Sequence, residues 1–143
     1  MMGPKFHLLA LVGLTALAVA SPHQTAEPKP RAANVLLLVD AASTETSLPV
    51  RLFNEGNYST VNLVTPVTEI KAHYHAKHDE TVYIVRGSGT MRIGEDTRDV
   101  SAGDLIHLPS GVVHSFVPRS KDCVAISVFG PKIDGTDRIF VGG

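Results

Sequence analysis

Three histidines and one glutamate in the middle of the chain have the types and spacing of a metal site. His73 and His75 are separated by one residue, and Glu80 follows five positions after the second histidine. Alternate residues of a β-strand point to the same face, so these two imidazoles can be directed at one point. Glu80 begins an apolar alternation that predicts a second strand, and pairing of the two strands would bring its carboxylate to the same point. A turn at 109–111 precedes His114, which supplies a third imidazole from the next strand.

Three imidazoles and one carboxylate suit a divalent first-row metal such as iron, manganese, nickel, copper or zinc. The imidazoles would bind as neutral rings and the glutamate as a carboxylate. Four protein ligands leave one or two positions for water, oxygen or a bidentate substrate, which is what a catalytic metal site requires. An isolated pair of histidines at this spacing is more often two surface residues, so the metal hypothesis depends on the second group of residues.

Short strands must position these side chains. Apolar alternations separated by Gly, Pro, Asn and Asp recur at roughly ten-residue spacing, which is typical of an all-β sandwich or barrel. The predicted strands are 50–53, 58–65, 68–75, 80–86, 90–93, 97–101, 105–108, 112–117 and 123–129. The continuous apolar run 34–39 predicts a further strand, either buried or at a sheet edge. No helical period longer than one turn is found beyond residue 20.

The stretches around the candidate ligands resemble the two motifs of the cupin family, G-x5-H-x-H-x3–4-E-x6-G and G-x5-P-x-G-x2-H-x3-N. The matching positions are His73, His75, Glu80 and Gly87 in the first motif and Gly103, Pro109, Gly111 and His114 in the second. Val67 stands in place of the leading glycine, and Pro118 in place of the closing asparagine. Both departures fall on backbone and turn positions and leave every metal-ligand position filled.

The resemblance implies an all-β fold, the double-stranded β-helix or jelly-roll cupin barrel. It also implies that His73, His75, Glu80 and His114 hold the metal. As in several cupin enzymes, Glu80 would also move off the metal and act as the catalytic base. By analogy with cupins that pair through sheet edges and terminal strands, we expect a homodimer.

Residues that share strand parity with the ligands should line the pocket. Val82 and Ile84 follow Glu80 at even spacing, and Phe116 follows His114. We interpret His78, which lies in the loop before Glu80, as solvated rather than as a substrate group or a support for the ligands.

Composition narrows the class of protein. The formal net charge is −1, which gives no reason to expect nucleic acid or an anionic membrane as a partner. One cysteine, Cys123, excludes an internal disulfide, and its apolar neighbours indicate a core residue rather than a nucleophile. His107 lies among leucines and is interpreted as a structural histidine rather than a ligand.

The first twenty residues have the features of a signal peptide. Lys5 precedes the apolar run 8–19, and the small residues at 18–20 form a cleavage pattern. We therefore expect a signal peptide at 1–20, a flexible Pro-containing linker at 21–33 and a cupin barrel domain at 34–143. The protein should be exported, to the periplasm or outside the cell, with no stable membrane insertion after cleavage; an uncleaved anchor is the alternative.

The first functional hypothesis is a metal-dependent oxidoreductase, dioxygenase-like, that acts on a small organic substrate. One divalent transition metal is expected, with iron or manganese favoured over nickel, copper or zinc. The alternative is a module that binds a metal or small ligand without catalysis. A barrel with a vacant site is the third hypothesis, and His75→Ala separates the three.

Overall fold

The computed structural model describes residues 29–42, 50–66 and 68–142. These residues form one helix, α1 (Val35–Ala42), and ten strands. The strands are β1 (Val50–Glu55), β2 (Thr60–Val64), β3 (Ile70–Tyr74), β4 (Asp79–Arg86), β5 (Ser88–Ile93), β6 (Asp96–Ser101), β7 (Leu105–Leu108), β8 (His114–Pro118), β9 (Val124–Gly130) and β10 (Ile139–Phe140). The predicted signal peptide lies outside the described residues.

Two five-stranded antiparallel sheets make up the barrel. Their strand orders are β1-β2-β9-β4-β7 and β10-β3-β8-β5-β6. Strands that follow one another in the chain often lie in opposite sheets, as β3 and β4 do, and this interleaving closes the two sheets over a common interior. The predicted all-β jelly-roll barrel is confirmed.

Alternation along the strands builds the core. In β7, Leu105 and His107 are exposed whereas Ile106 and Leu108 are buried, because successive side chains point to opposite faces. Ile84, Met91, Val100 and Phe116 belong to the same apolar cluster. The core therefore lies between the inner faces of the two sheets.

Gly87 allows the chain to pass from β4 in one sheet to β5 in the other. Its φ is 83°, a left-handed conformation that favours glycine. A Cβ at this position would lie 2.3 Å from Ser120 Oγ and 2.8 Å from Cys123 Cα. The motif glycine thus meets both a conformational and a steric requirement.

The apolar run 34–39 lies mainly in a helix, so the strand predicted there is wrong. Asn34 caps α1: its Oδ1 accepts hydrogen bonds from the backbone N–H groups of Leu36 and Leu37, at 3.0 and 3.4 Å. Leucine is a strong helix former, and periodicity cannot distinguish a short apolar strand from a helix. Within the described residues, no helix combines the length and apolar character needed to cross a bilayer.

Both ends of the described barrel contact neighbouring strands. β10 pairs with β3 of the same chain, so the C-terminal segment extends the sheet that carries two candidate ligands. Residues 29–33 are exposed and form neither helix nor strand. Even so, Arg31 stacks on the Phe53 ring at 4.5 Å and Asn54 Nδ2 donates to Lys29 O at 3.0 Å.

Candidate metal centre

β3 directs two imidazoles into the barrel. His73 lies within β3 and His75 directly follows it, and their exposed fractions are 2% and 3%. The intervening Tyr74 is only partly buried, as expected for the opposite parity. The prediction that the two histidines share one face is confirmed.

His114 joins this pair from the neighbouring strand. In the β3–β8 ladder His114 lies opposite His73, and the two ring centroids are 4.3 Å apart. The turn before β8 is tied to the first motif, because Gly111 N–H donates to His75 O at 2.7 Å and Ser110 N–H donates to Asp79 Oδ1 at 2.9 Å. These two hydrogen bonds therefore join the two motifs independently of any metal.

Glu80 reaches the same point from the opposite sheet. Its strand does not pair with β3: β4 lies between β9 and β7, so Glu80 is opposite Phe129 and Leu108. Its Oε2 is nevertheless 3.1 Å from His114 Nε2 and 3.7 Å from His75 Nε2. Curvature of the two sheets brings together four side chains that no single ladder could.

The hydrogen bonds behind each ring determine which nitrogen faces the centre. His73 Nδ1 lies 2.7 Å from Lys71 O, His114 Nδ1 lies 2.9 Å from Val112 O, and His75 Nδ1 contacts Asp137 O. A carbonyl only accepts, so each Nδ1 must carry the proton and each Nε2 must present a lone pair.

These lone pairs have the arrangement of a metal-binding donor set. One ring nitrogen from each of the three histidines lies within 4.8 Å of the other two. The Nε2 atoms of His75 and His114 are buried and make no hydrogen bond in the structure. Buried polar atoms are rarely left unpartnered. The donor set therefore fits a divalent transition metal.

Burial and contacts with neighbouring groups favour the protonation states that a metal requires at His73, His75 and Glu80. Burial lowers the pKa of His73 to about 4 and also lowers the pKa of His75. For Glu80, burial alone would raise the pKa, but His114 and the Ser127 hydroxyl, which donates to Oε1, outweigh it and lower the pKa. Near neutral pH the rings of His73 and His75 are therefore neutral and Glu80 is ionised.

An apolar cavity of about 60 Å³ adjoins these ligands. The predicted wall residues Val82, Ile84 and Phe116 all line it. Phe129 also lines it and packs edge-on against His75, with ring centroids 4.9 Å apart. The strand-parity prediction of the pocket walls is confirmed.

His78 is not solvated as predicted; its exposed fraction is 5%. Its Nδ1 lies 2.5 Å from Asp137 Oδ2, and the same carboxylate accepts the backbone N–H groups of Ala76 and Lys77 at 3.0 and 2.8 Å. The main-chain oxygen of Asp137 meets His75 Nδ1. Asp137 thus supports the loop between two ligands, and no sequence motif indicated this.

Two other side chains lie outside the donor set. His107 is exposed, and its Nδ1 lies 3.0 Å from Thr81 Oγ1, so it is a hydrogen-bonded histidine outside the donor set, in agreement with its interpretation as a structural residue rather than a ligand. Cys123 is 3% exposed, and burial raises the pKa of its thiol, which confirms a core position. Sequence reasoning also missed Arg138, which lines the cavity.

The fold and the site together define a small barrel protein with a buried candidate metal centre. The sequence model of the cupin domain matches residues 61–129, which include both motifs. A solved structure of a Bacillus halodurans protein superposes with a TM-score of 0.63 at 16% identity, covering 85% of this chain and 93% of that one. Residues 61–129 therefore form a cupin domain.

The chain is also similar in sequence to other proteins, of which two illustrate the extent of the match. An uncharacterised protein of Aquifex aeolicus is 29% identical over 99 residues, which are 69% of this chain and 81% of that protein. Quercetin 2,3-dioxygenase of Bacillus subtilis is 33% identical over 63 residues, which are 43% of this chain but only 19% of that enzyme.

Proposed function

We propose that this cupin is a metal-dependent oxidoreductase, dioxygenase-like, that acts on a small organic substrate. The observation that carries the proposal is the pair of buried, unpartnered Nε2 atoms beside the Glu80 carboxylate, at the wall of an apolar cavity. The partial similarity to quercetin 2,3-dioxygenase supports the same class of reaction.

His73, His75, His114 and Glu80 would hold one divalent metal ion. Iron or manganese is proposed first, with nickel, copper and zinc as alternatives, because metal choice depends on availability as much as on donor type. Such an ion supplies Lewis acidity and, when redox-active, one-electron chemistry with oxygen. The apolar walls contributed by Val82, Ile84 and Phe129 would keep water away from the reacting groups.

Glu80 is the proposed catalytic base. Ser127 Oγ–H donates to Oε1, which leaves Oε2 directed at the histidines. Its lowered pKa keeps the carboxylate ionised, so Oε2 can accept a proton from a substrate that enters the cavity. No other carboxylate lines this cavity among the described residues.

A non-catalytic binding module is the second candidate. The observation that favours it is the size of the cavity, about 60 Å³. Pockets for drug-sized ligands are typically about 300–1,000 Å³. Such a module would retain metal or bind a small ligand without turnover.

Elemental analysis of the wild type, His75→Ala and His107→Ala tests the proposal. We expect about one equivalent of metal in the wild type and in His107→Ala, whose histidine is exposed and lies outside the donor set, and a loss in His75→Ala. Oxygen consumption is then measured with panels of enediols, phenols and oxo acids. Bound metal without oxygen uptake on any panel would favour the binding module. Failure of reloaded wild type to take up metal would overturn the oxidoreductase and the metal-retaining form of the binding module.

We further propose export through cleavage after Ala20, and assembly as a homodimer. A host with a secretory pathway should release a chain that begins at Ser21, and Ala20→Arg should block its processing, because small residues are required at that position.

Exposed apolar side chains such as Leu52 and Leu105, on the two edge strands of one sheet, support association between copies as a homodimer. Light scattering that gives the mass of one chain would contradict the dimer.

A further inference from the structure

Arg138 is a cation at the mouth of the candidate metal cavity. It directly precedes β10, which lies next to β3, so the register places it beside the ligand His75. The residue is exposed, yet it lines the cavity together with His73 and His114.

The Arg138 guanidinium has no partner among the residues that the structure describes. Among the described residues, no hydrogen bond or ion pair joins it to a carboxylate or a carbonyl, whereas Arg86 pairs with Asp40 and Arg119 with Asp99. Apart from the metal-ligand set, Arg138 is the one charged side chain among the described residues that line the cavity. An unpaired guanidinium in this place is available to a molecule that enters.

The charge and the lining of the cavity indicate which chemical class of molecule it can bind. A divalent ion on three neutral imidazoles and one carboxylate, together with Arg138, leaves the site net positive. The other walls are mainly aliphatic and aromatic, among them Ile70, Met91 and Phe116. A guanidinium matches the plane of a carboxylate and binds it through two parallel hydrogen bonds.

We propose that the substrate of this site is a small carboxylic acid, whose carboxylate is bound by Arg138 while its remaining part faces the metal and the apolar walls. This inference rests on the metal-dependent function proposed above. A phosphate ester fits less well, because phosphate sites commonly combine several backbone N–H donors with a cation, and a cavity of about 60 Å³ favours the smaller planar anion.

The test measures binding rather than turnover, with protein loaded with redox-silent zinc. Isothermal titration calorimetry compares pyruvate with its uncharged analogue pyruvamide, on the wild type, Arg138→Gln, Arg138→Lys and Arg92→Gln. Arg92 is an exposed arginine of β5 on the strand face opposite the buried Met91. The control Arg92→Gln therefore removes the same charge as Arg138→Gln, but from outside the cavity. Zinc content is measured for every sample.

We expect Arg138→Gln to weaken pyruvate binding roughly 10- to 100-fold, as for the loss of a hydrogen bond between charged groups. Arg138→Lys should retain part of the affinity, Arg92→Gln should match the wild type, and pyruvamide should bind all four proteins alike. Equal pyruvate affinity in wild type and Arg138→Gln, or no pyruvate binding by zinc-loaded wild type, would overturn the inference while leaving the metal site in place. Tighter binding of inorganic phosphate than of pyruvate, with the same dependence on Arg138, would overturn the assignment to carboxylic acids. Failure of the wild type to bind zinc would instead refute the proposed function, and the inference with it.

Discussion

At the scale of single residues, the hydrogen-bond partners of the ligand side chains fix the geometry of the candidate centre. Three backbone carbonyls hold the Nδ1 protons of the three histidines, and Ser127 holds one oxygen of Glu80. Side chains restrained in this way lose little conformational freedom when a metal binds. The carbonyl behind His75 belongs to Asp137, whose carboxylate also holds the loop that follows His75.

Asp137→Asn should weaken metal binding without abolishing it. The carboxylate accepts three donors, from Ala76 N–H, Lys77 N–H and His78, whereas an amide offers one oxygen and directs its own N–H groups at a donor. Loss of such a supporting partner typically costs about 10–100-fold in metal affinity. Competition with a chelator measures the effect.

Asp134→Asn is the matched control. Asp134 lies in the same segment but is exposed, and its carboxylate contacts only Thr136 among the hydrogen bonds of the described residues. If the two variants bind metal equally well, Asp137 does not support the site. A moderate loss with unchanged thermal unfolding would separate a positioning role from general destabilisation.

At the scale of elements, the site joins two sheets. β3 and β8 contribute the imidazoles and β4 contributes the carboxylate from the opposite sheet. The β5–β8 ladder carries the wall residue Phe116, whose ring crosses Gly89 on the neighbouring strand. Close contact between strands therefore shapes the cavity as well as the core.

Gly89→Ala should destabilise the barrel by roughly 1–3 kcal/mol, in the range of overpacking substitutions. The new Cβ would lie 2.3 Å from two atoms of the Phe116 ring and 2.7 Å from Val117 O, so the ring must move. Chemical denaturation measures the change. At Gly56 the nearest atom to such a Cβ is 3.8 Å away, so Gly56→Ala should be nearly neutral. Equal stability of both variants would refute this account of the contact.

At the scale of the whole molecule, closing the barrel buries groups that are hydrated in the unfolded chain. The pKa of His73 falls from 6.5 to about 4 on folding, chiefly through burial. Below pH 6.5 the unfolded chain therefore binds a proton that the folded chain does not. The free energy of unfolding of metal-free protein should decrease as the pH falls from about 6.5 to about 4.

Urea titrations of metal-free protein at pH 7.5, 5.5 and 4.5 measure this dependence. His73→Gln should show a smaller decrease, whereas His107→Gln should follow the wild type because His107 is exposed. The lowered pKa of His75 and of Glu80 acts in the same direction, so part of the dependence should survive in His73→Gln. A free energy of unfolding that does not change between pH 7.5 and 4.5 would contradict the prediction.

Much of the fold and the ligand set could be predicted because local sequence patterns indicate both. Alternation in 80–86 and 105–108, and glycines such as Gly87 and Gly103 at positive φ, mark strands and turns within a few residues. The ligand residues are recognised by type and spacing alone. Where a local pattern is ambiguous, as in the apolar run 34–39, the prediction was wrong.

The sequence by itself determined which side chains could bind a metal and that strands must present them. Only the tertiary structure decided that Glu80 approaches from the opposite sheet, that His78 is buried against Asp137, and that Arg138 reaches the cavity. The contacts of Asp137 with His75 and His78 join residues 62 and 59 positions apart. No periodicity spans such a distance, because these contacts exist only after the two sheets have closed and brought the C-terminal segment beside β3.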